Sequence, residues 1–263
     1  MTVSSHLTSL ASNLVLSSTE NTSISTSIGT LSLRLNSYFG AGINEDFKFG
    51  SSTRGTILPR KADSNSDIDY MIVFDNSDGE KQPQTYLSKL KNFAITKYST
   101  SEVKQSSPTI ILSLNHINFE LVPAVKNYWS GYKIPAPASS WSTWLNTDPT
   151  GFNQQLVLAN QSNNNQIKPL CRLIKYWNAR NGHIFASFLL EQHIVGMNFI
   201  WCSTLRDYFY SFWESFNCSW DLPQYVKNKV NTAKNNAQEA KQYENQGMPI
   251  NAESAIKKIV PEL

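Results

Sequence analysis

The chain has 263 residues and a formal net charge of only +3, from 23 Lys and Arg against 20 Asp and Glu. That near balance argues against a long nucleic-acid track. A hydrophobic content of 40%, with 12% aromatic residues, argues against disorder and fits one large domain or two small ones. In chain order, the opening MTVSSHLTSLASNLVL lacks a basic start and a long apolar run, so no secretory leader is expected. Ile24, Ile28, Leu31, Leu35 and Tyr38 recur at helical spacing. With Thr19-Glu20 as cap and first turn, they predict a long helix that stops at Gly40 or Gly42. A short strand over 46–49 leads into FGSSTRGTILPRKADSNSDIDYMIVF, residues 49–74: a strand end, a Gly50-Ser51 turn, a loop, and a strand that begins with two aspartates.

Pro83 starts a helix over 83–98 with Leu87, Leu90 and Phe93 on one side. Strands are expected over 102–106, 109–114 and 117–122, the last two joined tightly through Asn115-His116 and the last ended by Pro123. Composition changes near 135, where PAPASSW reads as a linker-like turn; this gives a sheet-bearing domain over 1–135 and a helical lobe over 136–263. In the lobe, helices are predicted over 149–163, 166–181, 186–202, 204–217, 224–245 and 251–260. The aromatic run Tyr208, Phe209, Tyr210, Phe212, Trp213 and Phe216 is expected to be core packing. Cys171, Cys202 and Cys218 form no CxxC pair and stand at no zinc-like spacing to histidine, which predicts buried thiols in a reducing, cytoplasmic setting. No apolar stretch reaches the length of a membrane span. The fold class is α+β, a mixed sheet with flanking helices followed by an all-helical lobe.

The chemistry concentrates in residues 49–74. A strand points alternate side chains to one face, so Asp67 and Asp69 leave the same face side by side, with Met71 and Val73 continuing it. Two carboxylates this close repel unless a cation sits between them, and a hard divalent ion such as Mg2+ suits an all-oxygen site. Mn2+ is the alternative ion. In INFELVP, Asn118, Glu120 and Val122 share a face, so Glu120 is a third carboxylate of matching phase on a later strand. Ahead of them, the backbone N–H groups of the Gly50-Ser51 turn suit phosphate oxygens. Paired aspartates at a strand start are often only turn groups, and a single strand glutamate is unremarkable; it is the combination that points to nucleotide chemistry. Arg54 and Arg60 lie in the loop and could neutralise triphosphate charge, but exposed loop arginines are usually solvated, and both are set outside the core site.

GSSTRGTILPRKADSNSDIDYMIVF followed by FELVPA resembles the nucleotidyltransferase superfamily of DNA polymerase beta. Within it the stretch is similar to the bacterial cyclic-oligonucleotide synthases (CD-NTases), relatives of oligoadenylate synthase and cyclic GMP–AMP synthase. The likeness continues in TDPTGF, PLCRLIKYWNARNG and ASFLLE, and covers roughly residues 20–200. It implies a polymerase-beta-like sheet and a helical lobe. Gly50 and Ser51 match the phosphate-binding turn, and Asp67 and Asp69 the first two metal ligands. Glu120 matches a third acid that is more often Asp. Lys175 in LIKYW and Ser187 in ASFLLE match residues that contact nucleotide phosphates, and Phe188 falls where relatives place an aromatic that stacks on the base. For Lys175 the competing reading is a solvated helix cation; for Phe188 it is core, beside Leu189 and Leu190.

The resemblance further implies a Mg2+-dependent enzyme that makes cyclic di- or oligonucleotide second messengers from ribonucleoside triphosphates, in antiphage signalling, with a separate effector protein reading the product. Transfer of nucleotides to RNA or protein is a second reading, and a catalytically idle nucleotide-binding sensor or antitoxin a third. No Walker or kinase signature, dinucleotide-binding glycine motif or dedicated DNA-binding element is present in the sequence.

Overall fold

The computed structural model describes residues 2–106, 108–129, 131–137 and 143–263. Its first half runs α1 (Val3–Asn13), α2 (Ser18–Phe39), β1 (Ile43–Lys48), α3 (Ser51–Arg54), β2 (Asp67–Phe74), α4 (Pro83–Lys97), β3 (Glu102–Ser106), β4 (Thr109–Ser113) and β5 (Asn118–Lys126). Then follow β6 (Tyr132–Pro135), β7 (Trp144–Thr147), α5 (Gly151–Ser162), α6 (Ile167–Arg180), α7 (Ser187–Gly196), α8 (Leu205–Ser215), α9 (Gln224–Asn245) and α10 (Pro249–Ile259). Two compact units result. Ser17–Ile57 and Asn65–Gln154 form a sheet unit; Met1–Leu16, Leu58–Ser64 and Gln155–Leu263 form a helical unit.

Among the described residues the sheet has seven strands, ordered β1-β2-β5-β4-β3, with β6 beside β5 and β7 beside β6. β2 and β5 run parallel, and the other pairings are antiparallel. Beyond Asp69 every residue of β2 is buried, which explains its nearly continuous apolar sequence. On one face the Phe74 ring packs edge-on to Phe39 of α2 at 5.2 Å and against Tyr86 of α4 at 5.1 Å. On the other, Met71, Val73 and Ala124 form a small core with Phe47, Phe49, Tyr132 and Ile134. Tyr70 donates its hydroxyl to Asp46 on β1, and burial together with that carboxylate pushes the phenol's pKa up.

Three expectations for this unit change. Pro123 does not end its strand: β5 continues to Lys126, and Pro123 lies opposite Ile72 of β2. On its other side β5 pairs with β4 through Leu121 and with β6 from Val125, so the missing N–H falls where that edge changes partner. Pro135 is not the start of a linker but the last residue of β6, opposite Trp144 of β7. Part of the PAPASSW turn, residues 138–141, lies outside the described residues. Finally, α2 is capped by Ser17, whose side chain accepts from the Glu20 N–H while the Glu20 carboxylate accepts from the Ser17 N–H, two residues ahead of the expected Thr19. It stops where predicted, with Gly40 at φ 53°.

In the helical unit, α1 was not expected. Its Ser and Thr content masks a stripe of Val3, Leu7, Leu10 and Ala11, which joins the core made by α6, α8, α9 and α10. Thr2 and Ser5 close a capping box at its start, and His6 Nε2 lies 2.8 Å from the Val260 carbonyl oxygen. The aromatic run of α8 is core, as expected. α7 ends at Gly196 rather than at 202, because Met197 turns to an extended conformation. All three cysteines are free thiols, but only Cys171 is fully buried. Among the described residues no helix is long and apolar enough to cross a membrane.

Candidate active site

The parallel pairing of β2 with β5 sets Asp69 directly opposite Glu120, and Asp67 opposite Asn118. One oxygen from each of Asp67, Asp69 and Glu120 can be chosen so that all three lie within 4.8 Å of one another, each side chain partly open to solvent. Two unit charges at this distance repel by about 1 kcal/mol in bulk water and about 3 kcal/mol at the effective dielectric of a protein surface. Three such groups on one sheet face form a strongly anionic point. A set of carboxylate oxygens fits Mg2+ or Mn2+ and not a thiolate- or imidazole-seeking metal. Those three side chains would hold the ion.

Gly50 shapes the other side of this point. It sits at φ 69°, ψ −150°, a conformation open essentially to glycine alone. A β-carbon there would lie 1.8 Å from Asp69 Oδ2 and 2.6 Å from Asp69 Cγ, so the backbone at Gly50 occupies the space against the carboxylate that a side chain would need. The Phe49 N–H donates to the Asp69 carbonyl oxygen at 3.0 Å, which fixes the end of β1 against the start of β2. α3 starts at Ser51, and the Thr53 and Arg54 N–H groups donate back to the Gly50 carbonyl at 3.2 and 3.3 Å. The Ser51 and Ser52 amides stand ahead of the first N–H groups that donate back into the helix, the geometry that receives an anion at a helix start.

Arg54 corrects the sequence reading. It is not a solvated loop cation: it is the last residue of α3, only 7% exposed, with its guanidinium 5.5 Å from the centroid of Phe152. Phe152 belongs to the TDPTGF stretch, where Asp148 accepts from the Thr150 and Gly151 N–H groups and so caps the start of α5. Those bonds, with the Thr150 hydroxyl, hold the Asp148 carboxyl below the usual carboxylate range. Arg60 donates to the Ser64 carbonyl within the loop.

Lys175, Ser187 and Phe188 all belong to the helical unit. Lys175 is not a solvated helix cation. It is buried on α6, and its ammonium lies 3.2 Å from Oε1 of Glu191, whose side chain has no exposure. Ser187 opens α7 one turn before Glu191, on the same helical face. Phe188 is 43% exposed and Leu189 61%, so neither is core, whereas Leu190 is. Glu191 is the residue that reading the sequence missed: ASFLLE was informative for its serine and aromatic, and its final acid was given no role. The signal was an acid set between Leu190 and Ile194, both buried.

This pair yields a prediction. Lys175→Met removes the cation beside a fully buried carboxylate, a change that typically costs roughly 3 kcal/mol. Thermal unfolding is expected to drop by roughly ten degrees, and adding Glu191→Gln should recover part of the loss. A Lys175→Met protein that melts with the wild type would show that the pair carries no such weight.

The sequence matches the Second Messenger Oligonucleotide or Dinucleotide Synthetase (SMODS) domain family over residues 1–160. It is 28% identical over 137 residues to the "Probable cyclic nucleotide synthase" of Bacillus cereus (strain VD146), covering 49% of this chain and 41% of that protein. It is 25% identical over 115 residues to the cyclic AMP-AMP-AMP synthase of an Acinetobacter species, covering 44% of this chain and 32% of that one. The matched part thus spans less than half the length of these curated relatives. In fold the chain is similar to Escherichia coli MS115-1 CdnC, solved with ATP, at a TM-score of 0.72 and 14% identity over 98% of each chain.

Proposed function

Because the chain belongs to the family of Second Messenger Oligonucleotide or Dinucleotide Synthetase domains, we propose that it is a Mg2+-dependent nucleotidyltransferase that joins ribonucleoside triphosphates into a cyclic di- or oligonucleotide signal. The observation that carries this reading is the register that sets Glu120 opposite Asp69, with Asp67 two residues away on the same face. In this reading the Ser51 and Ser52 amides receive the phosphates of a donor triphosphate. Gly50 lets that backbone approach the carboxylates. Asp67, Asp69 and Glu120 hold the metal, which when bound lowers the pKa of the acceptor hydroxyl and balances charge on the triphosphate. The acceptor ribose oxygen bonds to the donor α-phosphorus, the bond from that phosphorus to the bridging oxygen of the β-phosphate breaks, and pyrophosphate leaves with the electron pair. The hydroxyl proton passes to solvent.

By the resemblance, Lys175 and Ser187 are taken to contact nucleotide phosphate, and Phe188, exposed as a stacking ring must be, to stack on a base. The relatives named as cyclic nucleotide and cyclic AMP-AMP-AMP synthases support a cyclic product. We place that product in antiphage signalling in the cytoplasm, read by a separate effector protein.

The test is incubation of purified protein with Mg2+ and mixed labelled triphosphates, with and without candidate activators, followed by phosphatase treatment and mass spectrometry. A phosphatase-resistant cyclic species is expected. Label recovered in added tRNA or protein instead would overturn the acceptor assignment, and no transfer to any acceptor would favour an idle binder.

A further inference from the structure

The Glu120 side chain is one methylene longer than those of Asp67 and Asp69, and the added torsion must be fixed if its carboxylate is to meet theirs. The structure shows what fixes it. On β4, Ile111 lies directly opposite Glu120, and Thr109 is two residues along, on the same face. The Thr109 hydroxyl oxygen is 2.7 Å from Glu120 Oε1 and 2.9 Å from the Ser106 carbonyl oxygen. A hydroxyl has one proton to give, and an ionised carboxylate at the shorter distance is the stronger acceptor. Thr109 is itself 5% exposed, so little water competes for that bond. As a β-branched residue in a strand it has few side-chain rotamers, and its own hydroxyl is therefore held in place.

We propose that Thr109 is a positioning residue for the third carboxylate: its hydroxyl locks the Glu120 side chain so that its carboxylate stays beside those of Asp67 and Asp69. The inference rests on the reading of Asp67, Asp69 and Glu120 as a divalent-cation site. An oxygen that accepts one hydrogen bond retains lone pairs for a metal, so the clamp and the ligand role are compatible. Outer partners of this kind commonly set metal affinity by roughly 10–100-fold, by orienting the ligand and removing its entropy of search. Thr109 touches neither substrate nor metal in this scheme; it acts through Glu120.

The experiment measures Mn2+ binding directly, from the loss of the free-ion electron paramagnetic resonance signal, on the purified chain without nucleotide. Thr109→Val keeps shape and burial but removes the hydroxyl, and is expected to weaken Mn2+ binding about tenfold. Thr109→Ser restores the hydroxyl and should bind within about twofold of wild type, given the same donor. In a Glu120→Gln background, Thr109→Val should add little, because the two changes remove one unit. Should Thr109→Val not fold, Thr109→Ala is measured in its place. Wild-type Mn2+ binding that Asp69→Asn abolishes but Thr109→Val leaves untouched would overturn the role of Thr109 alone. Equal weakening by Val and Ser would also overturn it, since the hydroxyl would then not be the cause. Absence of any Asp69-dependent binding in the wild type would overturn the metal-site reading and this inference with it.

Discussion

Asp69→Asn is expected to lower product formation by more than about a hundredfold, and to abolish the thermal stabilisation that a divalent cation gives the wild type. Asp69 is central to the cluster: it lies opposite Glu120, two residues from Asp67, and against the Gly50 backbone. If outer partners of a metal cost about 10–100-fold when removed, a direct ligand flanked by two others should cost more. Stability separates a ligand from a merely structural acid. Without metal, three carboxylates within 4.8 Å repel, and replacing one by an amide relieves two repulsions. In EDTA the variant should therefore melt no lower than wild type. With Mg2+ or Mn2+ added, the wild type should rise and the variant should not. Differential scanning fluorimetry in both conditions, alongside product quantification, checks the pair of outcomes. A variant that melts well below wild type in EDTA, or that keeps its metal-dependent rise, would remove Asp69 from the site as described.

How far the sequence could be read depended on whether the information was local. The alternation that puts Asp67 and Asp69 on one face, and Glu120 on a face of its own strand, is a period of two and needs no partner strand. The register that sets Asp69 against Glu120 joins residues about fifty positions apart, and nothing in either segment specifies it alone. The tight turn at Asn115-His116 already suggested that β4 pairs with β5, but the clamp from Thr109 depends on the register of that pairing, which the turn alone does not state. Helices with a clear apolar stripe, such as α6 and α8, were legible; α1 was not, because its polar positions are Ser and Thr, whose propensities favour caps and turns. β6 and β7 are four residues each, one ending in proline, too short for a periodic signal. Lys175 and Glu191 were both in view, but a pairing between two helices, sixteen positions apart, is tertiary information.

Gly50→Ala is expected to be the most damaging single-carbon change in the sheet unit, for two independent reasons. The backbone at φ 69°, ψ −150° lies where a residue with a β-carbon pays about 1–3 kcal/mol in strain. In addition, the new carbon would be placed 1.8 Å from Asp69 Oδ2 and 3.0 Å from Asp69 Cβ. Rotating the Asp69 side chain relieves the first contact but takes the carboxylate away from Asp67 and Glu120, and still leaves the tight approach to Cβ. Moving the Gly50 backbone instead displaces the Ser51 and Ser52 amides and pulls on the Phe49 bond to the Asp69 carbonyl. Either way a group of the site moves by about 1 Å, a misplacement that can cost about a hundredfold in rate. The expected result is a loss of product formation of that order, with a melting temperature lower by roughly five degrees. Ser51→Ala is the control, because it deletes a hydroxyl and keeps the amide. If the amide is what receives phosphate, this variant should retain activity within about tenfold of wild type. Should Gly50→Ala keep full activity while Ser51→Ala loses it, the phosphate contact would belong to the Ser51 hydroxyl, and the close approach of backbone to Asp69 would have no part in the chemistry.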